Sequence, residues 1–360
     1  MISNQRADGK IESLQGLRVF AFLMIFLLHT GLSDTGEIGV SIFFVLSGFV
    51  MYLRYRNTDL NTSVKELFKF SAGKIKKLYL LHIITMLAFL YFEIKILVEG
   101  FSLNKLIETI WHVILNLVLL QVWSPNQATY FSLNGVCWFL CVCLFLYLLF
   151  PLINKGIKGY KSVKSAYVSI AVTVLLMALA AMVVAKINVP ESISNNFTKW
   201  FTYIFPVYRL GDFIIGCNLS YIFTNKEHKL SVPTASLLEA AAFGLFLLLF
   251  MLRRYGVFVF GSYFLRYNLV YLPASMAVVY ILAHEKGLIS RLLRLKPLVI
   301  VGDLSSYAFL IHTVVIKYYF DILAGFSLAL NPVVSTLIIL VITITLSYLY
   351  SIVAKKRIKK

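Results

Sequence analysis

The sequence predicts an all-α fold, a polytopic transmembrane helical bundle of about ten spanning helices plus one helix that does not cross. Composition is the first reason, since 60% of the 360 residues are hydrophobic, 14% are charged and the mean hydropathy is +0.83. Apolar runs of roughly 20 residues, long enough to cross a bilayer, also recur along the whole chain. Most charged residues lie between these runs. We therefore expect a single membrane domain over residues 1–360, with a basic tail at 355–360 that contacts anionic lipid.

The apolar runs define the predicted spans in chain order. They cover 14–33, 36–53, 77–98, 134–153, 166–186, 200–223, 235–252, 267–284, 298–320 and 332–354.

The segment "LIETIWHVILNLVLLQVW" at 106–123 is also apolar enough to cross. An eleventh crossing would put lysine-rich segments on both sides of the membrane, whereas cytoplasmic loops carry the excess of Lys and Arg. We therefore predict that 106–123 is a re-entrant or interfacial helix on the outer side, and that both termini are cytoplasmic. The net charge of +18 thus reports topology, and we expect no nucleic-acid partner, which would need a basic face on a soluble fold.

Arg18 and His29 both lie within the first predicted span. Eleven residues complete about three helical turns, so the two side chains share one face, about 16 Å apart along the axis. An arginine in a span costs at least about 2.5 kcal/mol, so Arg18 should face protein or water and hold an anionic partner. A plainer alternative is that Arg18 reaches the inner headgroups and His29 ends the helix at the outer surface.

Other polar residues occur within or beside later spans. Ser47 and Gly48 lie in the second span, where small residues would let the first two helices approach closely. Arg209 and Asp212 lie three residues apart in one span, a spacing at which they can pair with each other. The remaining candidates are His312 in a late span and a basic cluster at the inner mouth, formed by Arg54, Lys74, Lys76 and Lys77.

Several of these segments, in order, resemble the acyltransferase-3 family of integral membrane acyltransferases, from about residue 14 to about residue 350. The most specific match is the arginine, ten residues, histidine pattern of Arg18 and His29. "GVSIFFVLSGF", "GKIKKLY" and "SSYAFLIH" are similar to the family's second-helix, third-helix and late-helix segments.

The resemblance implies transfer of an acyl group, usually acetyl, from cytoplasmic acyl-CoA to a hydroxyl of a polysaccharide, lipopolysaccharide or exopolysaccharide. The protein would then lie in the bacterial cytoplasmic membrane, with acyl-CoA, a glycan acceptor, membrane lipid and polysaccharide-assembly proteins as partners. We expect no metal and no tightly bound cofactor, because acyl-CoA acts as a donor substrate.

Under this resemblance, His29 is the candidate base for the acceptor hydroxyl, and His312 is the alternative base or a second histidine in the same cavity. The inner basic cluster would bind the donor phosphates, with Arg18 and Ser47 beside the pantetheine arm and thioester. Arg209 would stabilise the thioester oxyanion. The structural alternatives are a core role for His312, helix packing for Ser47 and a buried ion pair for Arg209.

Two features of the sequence depart from the family pattern. Cys143 stands where many relatives have glutamate, so an acid–base role there is absent or moved. The basic entry motif, often two arginines, is Lys74 and Lys77 here, which keeps the charge but loses the bidentate fork.

Three alternatives stay open at the level of sequence. The excess of Lys and Arg does not rule out a longer or charged acyl donor such as succinyl-CoA. A transporter of lipid-linked glycans would also contain buried charges, although we find no internal repeat of the kind that transporters show. A non-catalytic scaffold explains the topology but not the matched polar residues.

Overall fold

The computed structural model describes residues 10–34, 36–187, 196–227, 229–255 and 268–358. Within these ranges the chain is helical and contains no β-strand. The α-helices, in chain order, are α1 Glu12–His29, α2 Gly36–Tyr55, α3 Val64–Glu99, α4 Leu103–Leu117, α5 Gln127–Tyr130, α6 Trp138–Lys158, α7 Val163–Ala185, α8 Phe197–Lys199, α9 Pro206–Asn225, α10 Val232–Arg254, α11 Leu272–Leu282, α12 Leu288–Leu293, α13 Lys296–Gly325 and α14 Pro332–Ile358.

The predicted all-α membrane fold is confirmed. In the described part of the chain, eight helical segments are long and apolar enough to cross a membrane. They are α1, α2, α3, Gly135–Lys158 with α6, α7, α10, α13 and Pro332–Ala354 of α14. Each of them overlaps a predicted span, so the hydropathy pattern located these helices correctly.

Two of the ten predicted spans are not among these eight. The span predicted at 200–223 is a π-helical turn, Trp200–Ile204, followed by α9, whose apolar character is reduced by Arg209 and Asp212. Of the span predicted at 267–284, the structure describes α11, an apolar helix of 11 residues, while residue 267 lies outside the described residues. The total number of crossings therefore remains a prediction.

Helix α3 begins earlier than predicted, at Val64 instead of residue 77. Its 36 residues correspond to about 54 Å at 1.5 Å per residue, well beyond a hydrocarbon core of about 30 Å. Hydropathy identifies only the part of a helix that lies in lipid. It therefore assigns the charged first turns of α3, before residue 77, to a loop. The basic residues Lys74, Lys76 and Lys77 consequently lie within a helix and not before it.

Helix α4 covers most of the segment predicted not to cross. At 15 residues, or about 22 Å, it is too short to span a bilayer. It is strongly two-faced: Thr109, His112 and Asn116 are buried, whereas Ile107 and Trp111 are more than half exposed. This pattern is typical of an interfacial helix, and its position at the membrane surface remains a prediction.

Helices α1 and α13 run parallel and are in contact from Gln15 to His29 of α1. At one end, a Cβ on Gly302 would overlap the carbonyl oxygen of Gln15, so only glycine permits this approach. At the other end, His312 lies beside His29. The sequence had paired Gly48 with α1, but it is Gly39 of α2 that packs against the Ala21 carbonyl of α1.

Gly48 instead forms a close crossing between the antiparallel helices α2 and α9. A Cβ on Gly48 would overlap the carbonyl oxygen of Phe213, and one on Gly216 would overlap that of Val45. The thiol of Cys217 also donates to the Gly48 carbonyl, at 3.3 Å. Backbones this close are a common device of membrane helices, where small residues replace the hydrophobic driving force.

This crossing predicts that Gly48→Ala destabilises the protein. The new methyl group meets backbone, which cannot rotate away, so we expect a loss of about 1–3 kcal/mol, seen as a lower thermal unfolding midpoint in detergent. Gly244→Ala on α10 is the matched control, because nothing lies within 4 Å of its Cβ position. Equal midpoints for the two variants would contradict the close crossing.

Candidate functional site

The structure brings the two candidate histidines together. His29 is the last residue of α1, and His312 lies sixteen residues into α13. His29 Nδ1 is 2.7 Å from His312 Nε2, and the rings stack with centroids 4.9 Å apart. His312 is fully buried, whereas His29 is exposed. A buried imidazole thus supports an accessible one.

The hydrogen bonds of this pair define which nitrogen is basic. His312 Nδ1 lies 3.2 Å from the carbonyl oxygen of Ala308, which can only accept, so Nδ1 carries the proton. In the neutral ring, His312 Nε2 is then the acceptor and His29 Nδ1 the donor. The remaining nitrogen of His29, Nε2, is left with a free lone pair. An exposed, oriented, unprotonated imidazole nitrogen is what a general base requires.

Three of the six residues predicted to bind the donor line one cavity of about 150 Å³. They are Arg18 from α1, Ser47 from α2 and Lys74 from α3. Helix α6 contributes Cys143 and Tyr147, and α13 contributes residues that include Ser305, Ser306 and Phe309. The cavity therefore lies where α1, α2, α3, α6 and α13 meet, at a level nearer to the start of α1 than the histidine pair.

Arg18 faces this cavity and not the outside of the bundle. Among the residues that the structure describes, no carboxylate forms an ion pair with its guanidinium, so the anionic partner expected from sequence is not part of this structure. Nearby, the hydroxyls of Ser47 and Tyr147 are hydrogen-bonded at 3.1 Å. The cavity wall thus presents one arginine and several hydroxyl groups within apolar surroundings.

The four cations predicted at the mouth have different surroundings. Lys74 is half-buried, donates to the hydroxyl of Tyr55, and lies over the rings of Tyr55 and Phe70 at 4.2 and 4.8 Å. Arg54, Lys76 and Lys77 are exposed near the same end of the bundle and do not line the cavity. Only one of the four cations therefore contributes to the cavity itself.

Arg209 and Asp212 form a buried ion pair, at 2.9 Å, with both side chains fully inaccessible. Asn268 donates to both carboxylate oxygens of Asp212, and the Nε of Arg209 donates to the Tyr203 carbonyl. Arg209 does not line the cavity with Arg18. This geometry favours the structural alternative for the pair, and a catalytic role for Arg209 remains a prediction.

Some residues of the site were missed by the sequence analysis. Tyr147 follows Cys143 by one helical turn, so the spacing in "CLFLY" could have placed both on one face. No comparable spacing in the sequence marks Asn134 as part of the site. Its side chain donates to the Leu310 carbonyl and accepts from Thr313, so it ties the segment before α6 to the turn of α13 that carries His312.

No metal site accompanies these residues within the described ranges, where no group of three or more His, Cys, Asp or Glu side chains could hold an ion. All four cysteines are buried and unpaired, and only Cys143 lines the cavity.

A family model described as an acyltransferase domain matches residues 11–352. Acyltransferase MdmB of Streptomyces mycarofaciens is 26% identical over 344 aligned residues, which cover 88% of this chain and 81% of that protein. O-acetyltransferase OatA of Staphylococcus aureus strain NCTC 8325 is 23% identical over 326 aligned residues, which cover 86% of this chain. This chain spans about half of OatA, 51% of its length. No solved structure matches. With nearly its whole length matched and its helices apolar enough to span a bilayer, the chain belongs to the acyltransferase-3 family of integral membrane acyltransferases.

Proposed function

We propose that this protein is an O-acyltransferase that moves an acetyl group from cytoplasmic acyl-CoA to a hydroxyl of a cell-surface or lipid-linked glycan. The observation that carries the proposal is the His29–His312 pair, an exposed imidazole whose basic nitrogen is fixed by a buried second ring. Acetyl as the acyl group is taken from the name of O-acetyltransferase OatA, and a glycan as the acceptor is taken from the family resemblance.

The proposed reaction needs one proton transfer and one displacement. The acceptor hydroxyl gives its proton to Nε2 of His29 while its oxygen attacks the thioester carbonyl carbon. The new C–O bond forms, the C–S bond breaks, and the proton passes from His29 to the departing CoA sulfur. Acyl-CoA is consumed as a substrate, so no bound cofactor is required.

The charges support donor binding at the opposite end from His29. The cavity beside Arg18 holds about 150 Å³, far below the roughly 300–1,000 Å³ that enclose a drug-sized ligand. It can therefore take only the thioester end of the donor. The nucleotide phosphates would stay outside, at the exposed Arg54, Lys76 and Lys77, and the pantetheine arm would pass Lys74 and Arg18.

The orientation of the protein in the membrane follows from this assignment of the donor phosphates to the lysine-rich end. If CoA enters at the lysine-rich end, this end is cytoplasmic, and the parallel helices α1 and α13 then carry His29 and His312 towards the outer face. This orientation agrees with the excess of Lys and Arg in loops at the lysine-rich end. We accordingly propose a bacterial cytoplasmic membrane protein with both termini inside, together with membrane lipid and polysaccharide-assembly proteins as partners.

Replacing the base tests the proposal. His29→Asn keeps a side-chain N–H that can donate to His312 but has no basic nitrogen, so we expect release of free CoA from acetyl-CoA to fall by about 10²–10⁴-fold. The measurement uses membranes that contain the glycan of the producing cells, with protein abundance determined in parallel. His29→Ala should behave alike. Activity and abundance that fall together in both variants would indicate a structural histidine.

Replacing the cavity arginine tests donor binding. Arg18→Lys keeps the charge but loses the planar fork, so we expect the apparent KM for acetyl-CoA to rise by about tenfold. Arg253→Lys is the matched control, because Arg253 pairs with Glu37 at the far end of the bundle. An unchanged KM in the Arg18 variant would remove the assigned role.

Cys143 provides a direct probe of where the donor binds. It lines the cavity, whereas Cys137, Cys141 and Cys217 are buried outside its lining. Because the pantetheine arm would cover this thiol, acetyl-CoA should slow its alkylation by N-ethylmaleimide, followed by mass spectrometry of the cysteine peptides. Cys143→Ala identifies the labelled peptide. Equal alkylation rates with and without acetyl-CoA would place the donor elsewhere.

A further inference from the structure

Three phenylalanine rings close the Arg18 cavity on the side of the histidines. Phe43 of α2, Phe139 of α6 and Phe309 of α13 all line the cavity. Their ring centroids are 6.0 Å apart for Phe43 and Phe139, 6.3 Å for Phe43 and Phe309, and 5.2 Å for Phe139 and Phe309. Separations of 4.5–7 Å are those of touching rings, so the three form a closed triangle.

The histidine pair lies directly behind this triangle. Phe309, which lines the cavity, has its ring centroid 5.9 Å from that of His312. Phe22 and Phe26 of α1 pack on His312 from the other side, at 5.7 and 6.1 Å. The histidines themselves do not line the cavity. A group held beside Arg18 and a base at His29 are therefore separated by aromatic side chains.

We propose that Phe43, Phe139 and Phe309 are the residues that determine which acyl group reaches the histidines. This inference rests on the proposed function, because an acyl donor at Arg18 meets the base only if its thioester passes these rings. Arg18 and His29 are about 16 Å apart along α1, so the donor must thread between the two sites. Because the acyl group is at the leading end of the donor, it is the first part of the donor to contact the rings.

The chemistry of the rings defines the acyl class. Three phenyl faces offer no hydrogen-bond partner, so a carboxylate that enters between them loses its hydration without compensation. Succinyl and other charged groups are therefore excluded. Each added carbon that widens the acyl group must also displace a ring from a packed cluster, which disfavours branched groups. The triangle selects small, unbranched and uncharged acyl groups.

This assignment also separates the two donor alternatives left open by the sequence. The excess of Lys and Arg cannot distinguish acetyl-CoA from succinyl-CoA, because both donors carry the same CoA phosphates. The discrimination has to occur at the acyl end of the donor. Among the residues that the structure describes, Arg18 and Lys74 are the cations that line the cavity. Beyond Arg18 the path is aromatic.

The test compares acetyl-CoA, isobutanoyl-CoA and succinyl-CoA as donors. Free CoA release is measured in membranes that contain the glycan of the producing cells, and membranes of the same cells without the protein supply the blank. Isobutanoyl carries two more carbons than acetyl. Wild-type protein should therefore use acetyl-CoA at least about tenfold better than isobutanoyl-CoA, since tenfold is the lower end of what one extra carbon is worth in an apolar pocket. It should release no CoA from succinyl-CoA above the blank.

Phe43→Ala is the informative variant, because Phe43 is only half-buried and its recorded ring contacts are with the other two members of the triangle. It should raise the ratio of kcat/KM for isobutanoyl-CoA to that for acetyl-CoA by about tenfold or more. Phe20→Ala, which removes a half-buried ring paired with Phe243 away from the cavity, should leave this ratio unchanged. Phe43→Leu and Phe139→Leu provide the same comparison if the alanine variant does not accumulate.

The outcomes distinguish this inference from the function on which it rests. Wild-type membranes that release no CoA from acetyl-CoA above the blank would overturn the proposed function. Wild-type protein that uses succinyl-CoA or isobutanoyl-CoA as well as acetyl-CoA would overturn the role of the triangle and leave the transferase standing. An unchanged donor ratio in all three triangle variants would do the same.

Discussion

The parallel packing of α1 on α13 is the constraint on which the rest of the site depends. At one end the two backbones touch through Gly302 and Gln15, and at the other the imidazoles of His29 and His312 are 2.7 Å apart. Because both contacts are made by the same pair of rigid helices, the register of one fixes the other. The same register places Arg18 and Ser305 in the lining of one cavity. A shift of α13 by a single residue would break both ends together.

Helix α9 carries a buried ion pair that would be unfavourable in contact with lipid. Helix α9 is buried on nearly all sides, and its Arg209–Asp212 pair is completed by Asn268 and by a backbone carbonyl. The guanidinium also lies about equally far from two aromatic rings, 5.0 Å from Phe44 and 4.9 Å from Tyr203. A pair so fully enclosed is costly to break, because removal of one partner leaves an unpaired buried charge. Its contacts with Phe44 and Asn268 connect α9 to α2 and to the segment before α11.

The sequence predicted the membrane class and the order of the helices because those depend on a quantity summed over about 20 residues. It grouped His29 with His312 for a related reason: the two residues lie about fifteen and fourteen residues into predicted spans that both run outward, which places them at similar depth. It did not predict what depends on pairwise packing. Gly48 could have served any neighbouring helix, and only the three-dimensional arrangement assigns it to α9. The same holds for Arg209, whose spacing to Asp212 allowed either an internal pair or a catalytic cation.

The contrast between the two ends of the site bears on how the thioester is protected. Under the proposed reaction, the donor waits beside Arg18 while the base at His29 is exposed at the opposite end of α1. If the cavity were continuous with the outer surface, water activated by the same base would reach the thioester and would compete with the acceptor hydroxyl. The rings of Phe43, Phe139 and Phe309 fill this path with packed apolar surface, and an apolar constriction excludes water more effectively than it excludes a small acyl group. Under the proposed reaction, one structural feature would thus account for acyl selection and would also limit loss of donor to hydrolysis. A transporter would need the opposite arrangement, a path wide and polar enough for the whole substrate.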